Sequence, residues 1–171
     1  MKEVGKRNKQ SLTITHPELA KEWHPIKNGT LTPRGFTFGS GEKVWWQCLR
    51  GHEWKAMINN RTSQETDCPY CTGKKVLIGF NDLATTHSHF VKEWHPVKNG
   101  TLSPQTVSAG NNRKVFWQCK EGHEWEAAIY KHVIGTNCPY CANKKVGVGF
   151  NDLATLNPEL ARQWHPTKTV I

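Results

Sequence analysis

The sequence predicts a small α+β protein built from two tandem copies of one unit and part of a third. A long repeat is the first observation, since residues 21–25 return at 92–96 and residues 79–85 return at 149–155. Composition is the second, because 36% hydrophobic residues and a mean hydropathy of −0.66 are lean for one large core. The third is that all six cysteines lie at repeated positions. Small units with an added source of stability account for all three.

The repeat sets the predicted domain boundaries. We place the first unit at 12–82, the second at 83–152 and a terminal half-repeat helix at 153–171, which carries no cysteine. One residue is lost between the first copy and the second, after Ile58 and before Asp67. This length difference predicts a tolerant connection there rather than a packed element.

A short amphipathic helix is predicted to open each copy and to end at a Trp-His-Pro step. In the first copy Pro17 suits the first helical position, His16 precedes it as a cap, and Pro25 ends the helix. Leu19 and Trp23 would then share one face. The terminal half-repeat has the same pattern with Asn157 and Pro158.

A β-hairpin is predicted next, with strands at 44–48 and 52–58 joined by a tight turn. Gly51, and Gly122 in the second copy, would supply the backbone angle that such a turn requires. Cys48 and His52 lie at the base of this turn, and the same arrangement recurs in the second copy.

Each copy carries three cysteines and one histidine in the same order: Cys-x3-His, then Cys-Pro-Tyr-Cys. Three thiolates and one imidazole form a ligand set that tetrahedral Zn²⁺ accepts in closed structural sites. Disulfides are the main alternative. A histidine at the same position in each cysteine set and the absence of a secretory signal favour metal binding instead. We therefore predict two structural zinc ions, with the ligands Cys48, His52, Cys68, Cys71, Cys119, His123, Cys138 and Cys141.

The motif sequence resembles the tandem treble-clef, or probable zinc-ribbon, domains found in bacterial and phage proteins. The resemblance rests on Trp-His-Pro followed by Asn-Gly, then Trp-x-Cys-x3-His-x-Trp, then Cys-Pro-Tyr-Cys, and it covers nearly the whole chain. It implies two zinc modules of that fold and suggests DNA association, because such domains often accompany nuclease domains. We expect no nuclease domain beside the repeats in this sequence.

The charge balance favours a polyanionic partner. The formal net charge is +9, and two zinc ions with six thiolates reduce it to +7. We expect nucleic acid, with duplex DNA first, bound by basic residues that follow the knuckles, precede the first strands or lie in the hairpin turns. These are Lys43, Arg50, Lys74, Lys75, Arg113, Lys114, Lys120, Lys144 and Lys145. A solvated surface without a partner remains the alternative.

Other motifs receive structural interpretations. We expect most of the eight tryptophans to pack around the zinc sites rather than to stack on bases, because small modules need the buried area. His24, His95 and His165 could be further ligands, but each precedes proline, where an imidazole would cap helix carbonyls or interact with the helix dipole. Asp82 and Asp152 are predicted helix caps.

A catalytic role is not expected, because a closed four-ligand site leaves no open position for substrate. The competing interpretation is a protein-interaction adaptor, or an accessory subunit of a phage, mobile-element or nuclease complex. The basic, polar start of the chain and the lack of a long apolar segment predict a cytoplasmic protein with no membrane association.

Overall fold

The computed structural model describes residues 10–164, and these fall into two compact units that divide after Lys75. Each unit contains one two-stranded antiparallel sheet with short helices around it. This is the small α+β architecture that the sequence predicts. None of the described helices is long and apolar enough to cross a membrane.

The first unit begins with two short helices and ends with the cysteine knuckle. Between them lie a 3₁₀ turn, the hairpin and a third helix. The elements are α1 (Leu12–Thr15), α2 (Pro17–Lys21), a 3₁₀ helix (Pro33–Gly35), β1 (Lys43–Gln47), β2 (Glu53–Met57) and α3 (Ile58–Ser63).

The second unit has a similar order, without a counterpart of the 3₁₀ helix Pro33–Gly35 among its described elements, and then adds the terminal half-repeat. Its elements are α4 (Leu83–Thr86), a 3₁₀ helix (Ser88–Glu93), β3 (Lys114–Gln118), β4 (Glu124–Ala128), α5 (Ile129–Val133), α6 (Leu153–Leu156) and α7 (Pro158–Arg162). The 3₁₀ helix replaces α2 because its sequence, SHFVKE, lacks the proline at the first helical position.

The two hairpins have the same register and separate an inner face from an outer face. Trp46 pairs with Trp54 across the first hairpin, and Trp117 pairs with Trp125 across the second. Since successive strand residues point to opposite faces, Val44 and Trp46 are buried together while Lys43 and Trp45 lie on the other side. The predicted hairpins are confirmed.

The Trp-His step is extended and forms an isolated bridge to the edge of the hairpin, which differs from the predicted helix end. The helix ends at Lys21, and Trp23 then forms an antiparallel bridge with Trp46. The side-chain amide of Asn28 holds the same strand edge, since its Nδ2 donates to the Trp45 carbonyl at 2.9 Å and its Oδ1 accepts from the Trp45 amide at 2.8 Å. In this extended conformation the backbone pairs with hydrogen-bonding groups along the edge of β1, which a helix would leave unpaired.

A second difference concerns the predicted caps. His16 and Asn157 occupy N-cap positions, but neither side chain accepts a helix amide. His16 bonds the hydroxyl of Thr15 instead. The prediction for Asp82 and Asp152 is confirmed, because Asp82 accepts from the Thr85 amide at 2.9 Å and Asp152 does so from that of Thr155 at 3.0 Å.

Tryptophans form the centre of each core, as expected. Trp46 is fully buried and Trp23 packs edge-on against it with ring centroids 5.6 Å apart. The second core has the same contact between Trp94 and Trp117 at 5.4 Å. A buried indole removes roughly 150–250 Å² from water, which corresponds to an upper estimate of about 4 to 6 kcal/mol.

The stretch after each hairpin is a packed helix, so the prediction of a loose connection was wrong for its first half. Ile58, Arg61 and Thr62 of α3 are buried, as are Ile129 and His132 of α5. The one-residue difference falls after these helices begin, because α3 has six residues and α5 has five. These helices are too short for their apolar residues to show a helical period in the sequence.

A buried nitrogen-bearing side chain, Arg61 or His132, lies at the same place in both cores. The Arg61 guanidinium lies 5.1 Å from the Trp46 ring and 5.0 Å from the Trp54 ring, and its Nη2 is 2.5 Å from Glu22. In the second unit His132 replaces Arg61. Its ring is 4.1 Å from that of Trp117, and its Nε2 is 2.9 Å from a carboxylate oxygen of Glu93.

The terminal half-repeat keeps the backbone of the opening helices, but no further hairpin follows it within residues 10–164. The linking residue Asn157 has φ −139° and ψ 72°, close to the −139° and 65° of His16. Leu160 and Trp164 are 54% and 72% exposed, whereas the equivalent Leu19 and Trp23 pack on the first core. His165 lies outside the described residues.

We predict that Glu22→Gln destabilises the first unit by about 3 kcal/mol, because the buried Arg61 loses its carboxylate partner. Urea unfolding at fixed free zinc, followed by tryptophan fluorescence, measures the change. Glu18→Gln is the matched control, since it breaks only the exposed pair with Lys21 and should cost less than about 0.5 kcal/mol. Equal effects of the two variants would contradict the role assigned to Arg61.

Candidate metal centres

The four predicted ligands of each copy converge on one point. Among the described residues, two groups of metal-binding side chains form: one of Cys48, His52, Cys68 and Cys71, and one of Cys119, His123, Cys138 and Cys141. Within each group the ligand atoms all lie within 4.8 Å of one another. All six cysteines are free thiols, so the disulfide alternative is excluded.

The spacing of the ligand atoms fits a tetrahedral zinc ion. Zinc bonds of about 2.3 Å to sulfur and 2.05 Å to nitrogen give tetrahedral edges of about 3.8 Å between sulfurs and about 3.6 Å between sulfur and nitrogen. The Cys48 and Cys71 sulfurs are 3.9 Å apart, and the His52 Nδ1 lies 3.3–3.7 Å from the three sulfurs. Zinc would therefore be held by Nδ1, and the two sites are structural zinc centres.

The hairpin turn positions the first two ligands in each site. Gly51 has φ +80°, a conformation that side chains rarely adopt, and its amide donates to the Cys48 carbonyl at 2.8 Å. The Cys48 amide donates in turn to the His52 carbonyl at 3.1 Å. Gly122 has the same angle in the second site. This closed turn aims the cysteine and the histidine at the same point.

The Cys-Pro-Tyr-Cys knuckle positions the other two ligands. The Thr72 amide donates to the Cys68 carbonyl at 3.0 Å, and the Lys75 amide donates to that of Pro69 at 2.9 Å. The second knuckle has the same bonds, with the Ala142 amide donating to the Cys138 carbonyl and the Lys145 amide donating to the Pro139 carbonyl, both at 3.0 Å. Cys68 is buried and Cys71 is exposed, so each centre has one side towards the core and one towards solvent.

The thiol pKa values show how the backbone prepares the site. Burial raises the pKa of Cys48, but the amides of Arg50 and His52 donate to its sulfur and lower the pKa below the ordinary value. Burial and the neighbouring cysteines raise the pKa of Cys71 to about 11, and that of Cys141 to about 12. The backbone amides therefore favour the thiolate form of the first cysteine, whereas the last cysteine holds its proton more tightly.

The second centre is supported by aromatic rings and by an asparagine. Phe150 packs edge-on against the His123 ring with centroids 4.2 Å apart, and Tyr140 lies 5.3 Å from the same ring. The Asn151 amide donates to the Tyr140 carbonyl at 3.0 Å and to the Lys145 carbonyl at 2.9 Å. The segment after the knuckle therefore closes over the ligand histidine.

The two described Trp-His-Pro histidines, His24 and His95, are structural hydrogen-bond centres, which corrects the expectation that they cap carbonyls. The Nδ1 of His24 accepts from the amides of Ile26 and Lys27 at 3.1 and 3.0 Å, and its Nε2 lies 2.7 Å from Glu53. His95 makes the same contacts with Val97, Lys98 and Glu124. The backbone here presents amides rather than free carbonyls, because the chain is in a turn and not at a helix end.

This network ties the turn at 24–27 to the residue that follows the zinc ligand. Hydrogen bonds from Lys27 and then from His24 hold the pKa of the Glu53 carboxyl below its ordinary value. Glu124 is affected in the same way by Lys98 and His95. Each network stabilises the start of the second strand, beside His52 or His123.

All nine basic residues predicted to bind nucleic acid are exposed, in three places per unit. Lys43 and the pair Arg113 and Lys114 lie at the starts of the first strands, while Arg50 and Lys120 lie in the hairpin turns. The others follow the knuckles: Lys74, Lys75, Lys144 and Lys145. Lys120 lies 3.7 Å from Glu121, so part of its charge is offset.

The sequence interpretation missed two groups of residues. Arg61 and His132 lie in the stretch that the length difference predicts to be a tolerant connection, so the sequence does not mark them as core residues. Lys55 was missed as well. It pairs with Trp45 across the hairpin, so both side chains lie on the same face of the sheet, and strand alternation in the sequence could have identified it.

Comparison with known proteins agrees with this geometry. A family model described as a probable treble clef zinc finger domain matches the chain twice, at residues 19–74 and at residues 90–144. No curated protein matches the sequence.

We predict that zinc binding releases about three protons per site at neutral pH, because each site must deprotonate its three cysteines. Calorimetric titration of the reduced, metal-free chain in buffers of different ionisation enthalpy measures this release. Saturation at two zinc ions per chain is expected. A release near zero would show that the thiols are not the ligands.

We also predict that Cys68→Ser unfolds the first unit and leaves the second largely folded, and that Cys138→Ser does the reverse, because each zinc closes only its own core. Zinc stoichiometry should fall from two to one in each variant. Amide hydrogen exchange resolves which unit has opened. Cooperative loss of both units from either variant would contradict independent modules.

Proposed function

Because this chain belongs to the probable treble clef zinc finger family, with two copies of the domain in tandem, we propose that it is a non-catalytic nucleic-acid-binding protein. Zinc contributes folding to this activity and no chemistry. We propose duplex DNA as the first substrate to test and an intracellular location, where reduced cysteines persist.

The distribution of charge carries the proposal. After two zinc ions and six thiolates are counted, the chain has a net charge of +7. The nine exposed basic residues recur at matching places in both units, so the chain offers similar cationic surfaces twice. Phosphate backbones bind such surfaces through release of their counterions.

The ligand sets support a role without catalysis. Three thiolates and one imidazole occupy all four positions of a tetrahedral zinc ion, which leaves none for substrate or activated water. The buried carboxylate of Asp82 is committed to capping α4. We therefore assign the centres a structural role.

A protein-interaction adaptor is the second candidate, and the terminal half-repeat favours it. Three apolar side chains are exposed here: Leu156 on α6, Leu160 on α7 and Trp164 just after α7. Large apolar side chains that are exposed within a short segment favour a protein contact when they form one patch. This role would serve an accessory subunit of a larger phage, mobile-element or nuclease complex.

The test is a fluorescence-anisotropy titration of the zinc-loaded chain with labelled duplex DNA, single-stranded DNA and RNA at about 50 and about 200 mM salt. We expect binding that weakens by at least about tenfold over this range, because several phosphate contacts are lost together. Metal-free chain is the control: it should bind more weakly despite its higher net positive charge, because its basic residues are no longer held at fixed places.

Absence of binding at the lower salt would overturn the nucleic-acid proposal. A tight interaction insensitive to salt would also count against it, since phosphate contacts require counterion release. Either result would leave the adaptor as the better explanation of the exposed apolar residues.

A further inference from the structure

The two hairpins are equivalent in backbone but not in the side chains of their outer faces. The outer face of the first hairpin consists of Lys43, Trp45, Lys55 and Met57. Strand pairing places Lys43 opposite Met57 and Trp45 opposite Lys55, so the four side chains share one surface. The two lysines lie diagonally across it, roughly 7–8 Å apart at their backbones.

This face is accessible and its charge is uncompensated. Both lysines are exposed, Met57 is 43% exposed and Trp45 is half-buried. Within the described part of the chain, neither Lys43 nor Lys55 lies in an ion pair. The third cation nearby, Lys27, lies 4.8 Å from the Trp45 ring but is held by Glu53.

The corresponding face of the second hairpin has a different composition. Phe116 replaces Trp45, Ala128 replaces Met57, and Glu126 replaces Lys55 in the register position opposite the aromatic ring. Lys114 remains, but Glu126 lies diagonally from it. The two uncompensated positive charges of the first face therefore become one positive and one negative charge.

A lysine pair beside a half-exposed indole matches the chemistry of a nucleic-acid strand. Lysine ammonium groups contact phosphates, and an aromatic ring between them supplies a surface for a sugar or an unpaired base. A carboxylate at the same position repels phosphate. The network of His24, Glu53 and Lys27 fixes the turn beside Trp45, so the ring is held in place before a partner arrives.

Resting on the proposed function, we infer that nucleic acid binds mainly to the outer face of the first hairpin, through Lys43, Lys55 and Trp45. The second hairpin contributes little by its equivalent face. The two units thus share one zinc-stabilised fold, but the outer hairpin face contacts nucleic acid mainly in the first unit.

The experiment uses the full, zinc-loaded chain and labelled single-stranded and duplex DNA. Lys55→Glu introduces at this position the residue type that Glu126 supplies in the second hairpin, and we expect at least about tenfold weaker binding at low salt. Lys55→Gln should lower the slope of log affinity against log salt by about 1, which corresponds to one lost phosphate contact. Trp45→Ala should weaken single-strand binding by about tenfold or more.

Matched variants separate this surface from net charge. Lys21→Glu changes the charge by the same amount on another part of the first unit, and Phe116→Ala truncates the equivalent ring of the second. Both should bind within about twofold of the parent chain. Two bound zinc ions and an unchanged circular dichroism spectrum establish that each variant is folded.

If the parent chain binds but Lys55→Glu and Lys21→Glu weaken binding equally, the inference fails and the proposed function stands. The same holds if Phe116→Ala is as damaging as Trp45→Ala. If the parent chain binds neither probe, both the proposed function and the inference fail.

Discussion

The rest of the fold depends on one constraint: the hairpin turn and the cysteine knuckle must meet at one zinc site. A two-stranded sheet is marginally stable by itself, and each hairpin here has only five residues per strand. Ligands from the turn and from the knuckle bring together segments about twenty residues apart in sequence. Once they are joined, the inner face of the hairpin is covered and the core closes over Trp46 or Trp117.

The core itself shows how a small unit can bury a charge. Arg61 is nearly inaccessible, but the indoles of Trp46 and Trp54 lie beside its guanidinium and Glu22 neutralises it. The second unit fills the same space with an imidazole. The two cores therefore keep one architecture while their central polar groups differ in size and in hydrogen-bonding capacity. Divergence between the copies has affected the centre of the core and the outer hairpin face, whereas the ligand sets are the same.

Much of the fold was accessible from sequence because the strongest signals are local. Cys-x3-His around Gly51 specifies a turn and two ligands together, and strand alternation specifies the register that brings Trp46 opposite Trp54. The helices α3 and α5 could not be recognised in the same way, since one turn of helix carries too few apolar positions to show a period. The bridge made by Trp23 is a tertiary contact with a strand far along the chain, and local propensity contains no information about it.

The replacement of glutamate by glutamine in the terminal half-repeat has a consequence for folding fidelity. Residues 158–164 are so similar to 17–23 that, while the chain is incompletely folded, the later segment could compete for the hairpin that belongs to the earlier one. Its residue at the position of Glu22 is Gln163, which has no negative charge to offer Arg61. The mismatched pairing would bury an arginine without a counterion, so the side chain that stabilises the correct core also rejects the wrong segment.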